Sequence, residues 1–94
     1  MRVTLGGVAL ETSEYAENGE IHFTCFTDGR EFFAALNQML ETPGRVLALR
    51  RGGEQIAVRV LEHEIWPAFS HNIDGIVHRH AVHLKPARGA HLPA

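Results

Sequence analysis

Four of the seven histidines in this 94-residue chain fall in one stretch, "HNIDGIVHRHAVHLK": His71, His78, His80 and His83. Neutral imidazole is the commonest protein ligand for metals. Three histidines that leave one coordination position open form a known zinc arrangement able to activate water. Asp74-Gly75 is a hairpin turn pair. Closed as a two-residue loop, it sets His71 opposite His78 and Phe69 opposite His80. His71, His78 and His80 then share one face of a strand pair, while His83 has the opposite parity. Residues two apart on a strand lie about 6.5–7 Å apart, and cross-strand Cβ atoms about 4.5–5.5 Å. The trio His71, His78 and His80 is therefore the candidate metal site, for zinc or another divalent transition metal. Glu62 and Glu64 can serve as acceptors for the second ring nitrogens only if the preceding strand runs alongside. The competing reading is a half-exposed strand with histidines on its wet face and no cofactor. A pH-responsive surface is the milder form of the metal idea, because clustered histidines repel one another once protonated.

Other residue types that carry chemistry are sparse. Cys25 lies in "FTCF", where a free thiol acts as a small buried hydrophobe. His22, three residues away on a strand, faces the other side and cannot serve it as a base. "IWPAF" holds the only tryptophan. Trp66 and Phe69 either anchor a partner, as aromatics at binding hot spots do, or finish the core at an open end of a sheet. Arg45, Arg50, Arg51 and Arg59 gather around Gly52-Gly53. Such a hairpin, through Arg50 and Arg51 above all, could touch phosphates or a protein partner, and otherwise it is a solvated face. "LGG" and "RGG" do not sit between a strand and a helix as phosphate loops do. No paired carboxylates or serine-centred set supports acid–base or nucleophilic catalysis, so the expectation is a non-enzyme.

These residues must be positioned by a small number of elements. Residues 2–10 read as one strand whose apolar phase switches at Gly6-Gly7, a place for a bulge. "ETSEYAENG" reads as an acidic loop ending in the turn pair Asn18-Gly19. Residues 20–27, "EIHFTCFT", alternate as a strand with Ile21, Phe23 and Cys25 on one face. "DGREFFAALNQMLETPG" changes to helical period, with Phe32, Phe33, Leu36, Met39 and Leu40 on one stripe. Asp28 and Glu31 have capping-box spacing, and Pro43-Gly44 supplies the stop. Gly52-Gly53 then joins two alternating runs, in a register that pairs Leu49 with Ile56 and Leu47 with Val58. The second run continues to Pro67, and residues 76–85 form the last strand.

The order β-β-α-β-β-β implies an α+β fold, one helix packed on a mainly antiparallel sheet. It resembles a β-grasp domain in element order only, and no function follows from that likeness. Residues 1–86 are expected to form a single compact domain, and 87–94 a loose tail.

Composition narrows the function class. Hydrophobic residues make up 45% and charged residues 21%, as in globular domains. No apolar run approaches the ~18 residues of a membrane span. The start lacks the pattern of a secretory signal, so the expected setting is the cytoplasm, or a virion if the chain is phage-encoded. A lone cysteine makes no disulfide scaffold. Net charge is −2, which argues against nucleic acid as the main partner. The charge is divided, however. Residues 1–44 carry two arginines against seven carboxylates, and residues 45–94 carry seven cations against four. That division suits docking on a charged partner or head-to-tail contact between copies, unless the halves neutralise each other within one fold. The expected function is a small non-catalytic protein-binding or assembly module, the class that includes phage virion components and inhibitors of host machinery. Metal binding through the histidines is the alternative, and phosphate-backbone binding through Arg50-Arg51 the second.

Overall fold

A computed structural model describes residues 1–68 and 77–89. The chain runs β1 (Arg2–Leu5), β2 (Val8–Asn18), β3 (Glu20–Asp28), α1 (Arg30–Leu40), β4 (Val46–Arg51), β5 (Glu54–Ala68) and β6 (Val77–Pro86). The strands form a closed antiparallel barrel in the order β1-β2-β3-β6-β5-β4. This corrects the expected α+β sheet with a packed helix and its β-grasp-like order. The reason lies in two local misreadings. Gly6 and Gly7 both have positive φ, 56° and 84°, and make a tight hairpin rather than a bulge in one long strand. The second arm of that hairpin pairs with β1 from Leu5↔Val8 to Arg2↔Glu11 and runs on through the acidic segment, which is strand rather than loop and pairs with β3 from Thr12↔Cys25 to Asn18↔Glu20. The extra strand lets β1 reach β4 through Thr4↔Arg50 and Leu5↔Leu49 and close the sheet. Closure removes the free strand edges through which another chain could add.

Two register shifts help the sheet curl, between Ser13 and Ala16 on β2 and between Val60 and Glu62 on β5. Inside lie Val3, Leu5, Leu10, Ile21, Phe23, Cys25, Leu47, Leu49, Val58, Val60, Val82 and Leu84. The Gly52-Gly53 hairpin has the expected register, Leu47↔Val58 and Leu49↔Ile56.

Helix α1 lies at one mouth of the barrel and buries Leu36, Met39 and Leu40. Its N-cap is Gly29, with no side-chain cap, so Asp28 does not take the capping role its spacing implies. Instead Asp28 is the last residue of β3 and pairs with Val77. Gly6 sits directly under Met39, leaving no room for a Cβ.

At the other mouth, β1 is too short to separate the lower half of β2 from β4. A bidentate ion pair crosses there: Arg51 Nε and Nη2 donate to Glu17 at 2.9 and 2.7 Å. Two ion pairs join the acidic and basic halves within the fold, Arg51–Glu17 and Arg79–Glu14. Ala87, the first residue of the expected tail, is buried, and its N–H donates to Ala57 O at 2.9 Å.

Candidate functional site

The central strand of the site is β6, with β3 on one side and β5 on the other. Side chains alternate along it, so the histidines divide between two faces. His78 and His80 point into the barrel beneath α1, and His83 points out.

The inner group is a buried polar chain. His80 is fully buried. One ring nitrogen, Nε2, is hydrogen-bonded to Thr27 Oγ1 at 2.8 Å, and the other, Nδ1, to His63 Nε2 at 2.8 Å. Two tautomeric arrangements satisfy this chain: His80 donates to His63 and accepts from Thr27, or the reverse. Phe33 of α1 covers it, 4.3 Å from the His78 ring and 5.7 Å from the His80 ring. Burial, and then the neighbouring His63 and His78, lower the pKa of His80 to about 4. Burial also lowers that of His63. His80 is a neutral core residue at pH 7.

This arrangement overturns the expected register of the metal trio. The partners of His78 and His80 on β5 are Pro67 and Ile65, a register different from the one the Asp74-Gly75 turn implies. His71, Phe69 and the Asp74-Gly75 turn lie outside the described residues. His78 and His80 face inward, and His80 has committed both ring nitrogens.

The outer face of β3, β6 and β5 is a different surface. Its cross-strand rows follow from the register. Phe26, Arg79 and Trp66 lie side by side, because Arg79 pairs with Phe26 on β3 and with Trp66 on β5. Phe26 is 51% and Trp66 42% exposed, unusual for large aromatics. The Arg79 guanidinium lies 5.6 Å from the centre of the Trp66 ring, a cation–π contact. The next row is Thr24, Ala81 and Glu64, whose small members leave a hollow of about 280 Å³. Three glutamates line that hollow, Glu14, Glu62 and Glu64, together with His22 and His83. Glu14 reaches it from the β2 bulge, where its φ is +54°, and lies 3.6 Å from Arg79 Nη2.

The third row is His22, His83 and Glu62. The two imidazoles are stacked, 3.9 Å between centroids. His83 Nε2 meets Glu20 Oε2, and His22 Nε2 lies 3.9 Å from the same oxygen. On its other side, His83 Nδ1 lies 3.9 Å from Glu62 Oε2. Glu62 and Glu64 do run alongside the last strand, though the histidine that Glu62 serves is His83.

The remaining candidates have mostly structural places. Arg51 holds Glu17, and Arg59 Nη1 donates to Gly44 O at 2.9 Å. Arg50 stays exposed. Cys25 is buried, and burial raises its pKa to about 11, which leaves it an inert thiol. A larger open cleft of about 880 Å³ lies at the lower mouth, where Arg51, Lys85 and Arg88 are interleaved with Glu17 and Glu20.

Sequence reasoning missed Glu14, Glu20, His22, Phe26 and His63. The parity of "EIHFTCFT" places Glu20, His22, Thr24 and Phe26 on one outer face. What it lacks is the neighbour, since only the pairing of β3 with β6 makes that face meet Arg79 and His83.

No family model matches the chain, and no curated protein or solved structure is significantly similar to it. Among the described residues no helix is long and apolar enough to cross a membrane.

Proposed function

We propose that the protein is a non-catalytic binding module that docks a basic segment of a partner protein on the outer face of β3, β6 and β5. The observation that carries this reading is the exposed row Phe26–Arg79–Trp66 beside a hollow walled by Glu14, Glu62 and Glu64. Aromatic side chains and arginine are the residue types that dominate binding energy when a partner covers them. Small residues in the next row give a projecting partner side chain somewhere to go. The three carboxylates fix its sign: a lysine or arginine entering the hollow gains favourable contacts, and an acidic side chain is repelled. Since the sheet is closed, recognition runs through side chains rather than through strand addition. The committed places of Arg51 and Arg59 speak against a phosphate-binding hairpin.

A random-peptide display screen against the untagged protein tests this. The expected selection is peptides with Lys or Arg next to an apolar residue. Their binding weakens with salt and is lost when Phe26 and Trp66 are both changed to alanine. Selection of acidic peptides, or of peptides that bind the double variant equally well, overturns the reading. Native mass spectrometry of the free protein separates this from self-association, which would show as a dimer or ring.

A further inference from the structure

We propose that Glu20, His22 and His83 form a binding site for one divalent transition-metal ion, zinc or a close neighbour in the first row. The site adjoins the docking hollow argued above and shares His22, His83 and Glu62 with its lining, but it does not depend on that reading and uses none of the three residues His71, His78 and His80.

The case begins with position. His22 and His83 are direct partners across the β3–β6 ladder. Glu20 lies two residues before His22, on the same outer face. The β3–β6 ladder therefore holds His22 and His83, and Glu20 immediately precedes it on the same strand, so no loop is involved. One ligand atom from each lies within 4.8 Å of the others, and among the described residues no other group of three does so. Zinc bound at about 2.0–2.2 Å to nitrogen and oxygen needs such atoms roughly 3–3.6 Å apart. Small rotations of exposed side chains supply that adjustment: His22 is 55% and Glu20 43% exposed.

The second observation is the carboxylate on the far side of His83. A ligating histidine ordinarily offers its other ring nitrogen to a carboxylate, carbonyl or water, which fixes the tautomer and makes the ligand more basic. Glu62 sits on β5 directly across from His83, with Oε2 at 3.9 Å from Nδ1. His83 thus lies between two carboxylates, Glu20 at Nε2 and Glu62 at Nδ1. Glu20 and Glu62 together balance the charge of a divalent ion.

The donor set decides the chemical class. Two imidazoles and one carboxylate suit zinc, copper, nickel or iron, whereas an all-oxygen shell would suit calcium or magnesium. Three protein ligands leave at least one position for water or a donor from elsewhere.

The inner histidines give the control. His63 and His80 are hydrogen-bonded to each other beneath α1, and His80 is fully buried. Metal should therefore be indifferent to them.

The test is a titration of untagged protein with zinc by calorimetry, and with cobalt, whose visible bands report nitrogen and oxygen ligands. The expected result is one ion per chain. Glu62→Gln should weaken it about 10–100-fold, and His22→Gln or His83→Gln more than that. His63→Gln should leave it unchanged. All of these except His63 lie on the outer surface, so circular dichroism should show native folding for the first three variants. Absence of a stoichiometric ion in the parent protein overturns the proposal. So does binding that survives in the His22→Gln/His83→Gln double variant, which would place the metal elsewhere.

Discussion

His80 and His83 are three residues apart on one strand and live in opposite solvents. His80 is enclosed by His63, Thr27 and Phe33 and is paired with no carboxylate among the described residues. His83 is flanked by Glu20 and Glu62. The same imidazole is thus a neutral packing piece in one place and a solvent-facing group set between two carboxylates in the other. Side-chain type set what each can do, and strand parity set which of the two it does.

That contrast can be broken by mutation. The largest effect should come from His80→Ala. It removes a fully buried side chain and leaves Thr27 and His63 short of a partner, at a cost of about 2–4 kcal/mol. Urea denaturation at pH 7 measures it.

The next effect is a dependence on pH. The folded pKa of His80, about 4, lies below the unfolded value of 6.5. Between those two values the unfolded chain binds more protons, so acid favours unfolding. The stability that neutral His80 retains is present in full above about pH 6.5 and is lost as pH falls towards 4. At full extent the loss is about 3 kcal/mol. A His80→Gln variant should lack this component, so the stability gap between parent and variant should narrow across that window. Carboxylate titration, common to both proteins, then drops out of the comparison. An unchanged gap from pH 7 to pH 4 would mean that His80 is not held neutral.

The smallest effect belongs outside. His83→Gln at pH 7, without metal, should change stability by no more than about 1 kcal/mol, because the half-buried ring faces solvent on the outer sheet and its carboxylate contacts are screened there. Thermal unfolding of the variant beside His80→Ala would sharpen the difference between the two faces. A large loss on His83→Gln would make the outer cluster a structural bond rather than a site.

The sequence displayed much of this in pieces. The Gly52-Gly53 hairpin was legible to the residue pair, because two alternating runs met at a turn with only one sensible register. The helix stripe was legible because five apolar residues repeat with helical period. Gly6-Gly7 was ambiguous: a switch of apolar phase marks a bulge in one strand or a turn between two, and periodicity cannot separate them. Choosing the bulge removed a strand, and with it the closed barrel. The histidine window was ambiguous for another reason. A turn pair, Asp74-Gly75, fixed a register on paper, while the observed ladder pairs His80 with Ile65. In that ladder the neighbour of His78 is Pro67. The outer cluster could not be read at all, since Glu20 and His83 stand 63 residues apart in sequence. Local pattern gives parity; only the non-local β3–β6 pairing gives company.

The seam that closes the barrel has a consequence in time. β1 and β4 meet through two residue pairs and the Gly6 N–H bond to Ala48 O. Four of the six joins in the ring are between strands adjacent in the chain, and β3–β6 is long enough to repay its wide loop. The β1–β4 join must close a loop of more than forty residues for very little contact, and the entropy of that closure falls due before the reward. The β1–β4 join should therefore form after the others, with its amides the first of the ring to exchange. That join lies at the far side of the barrel from both histidine groups, so loosening it leaves their strands still paired.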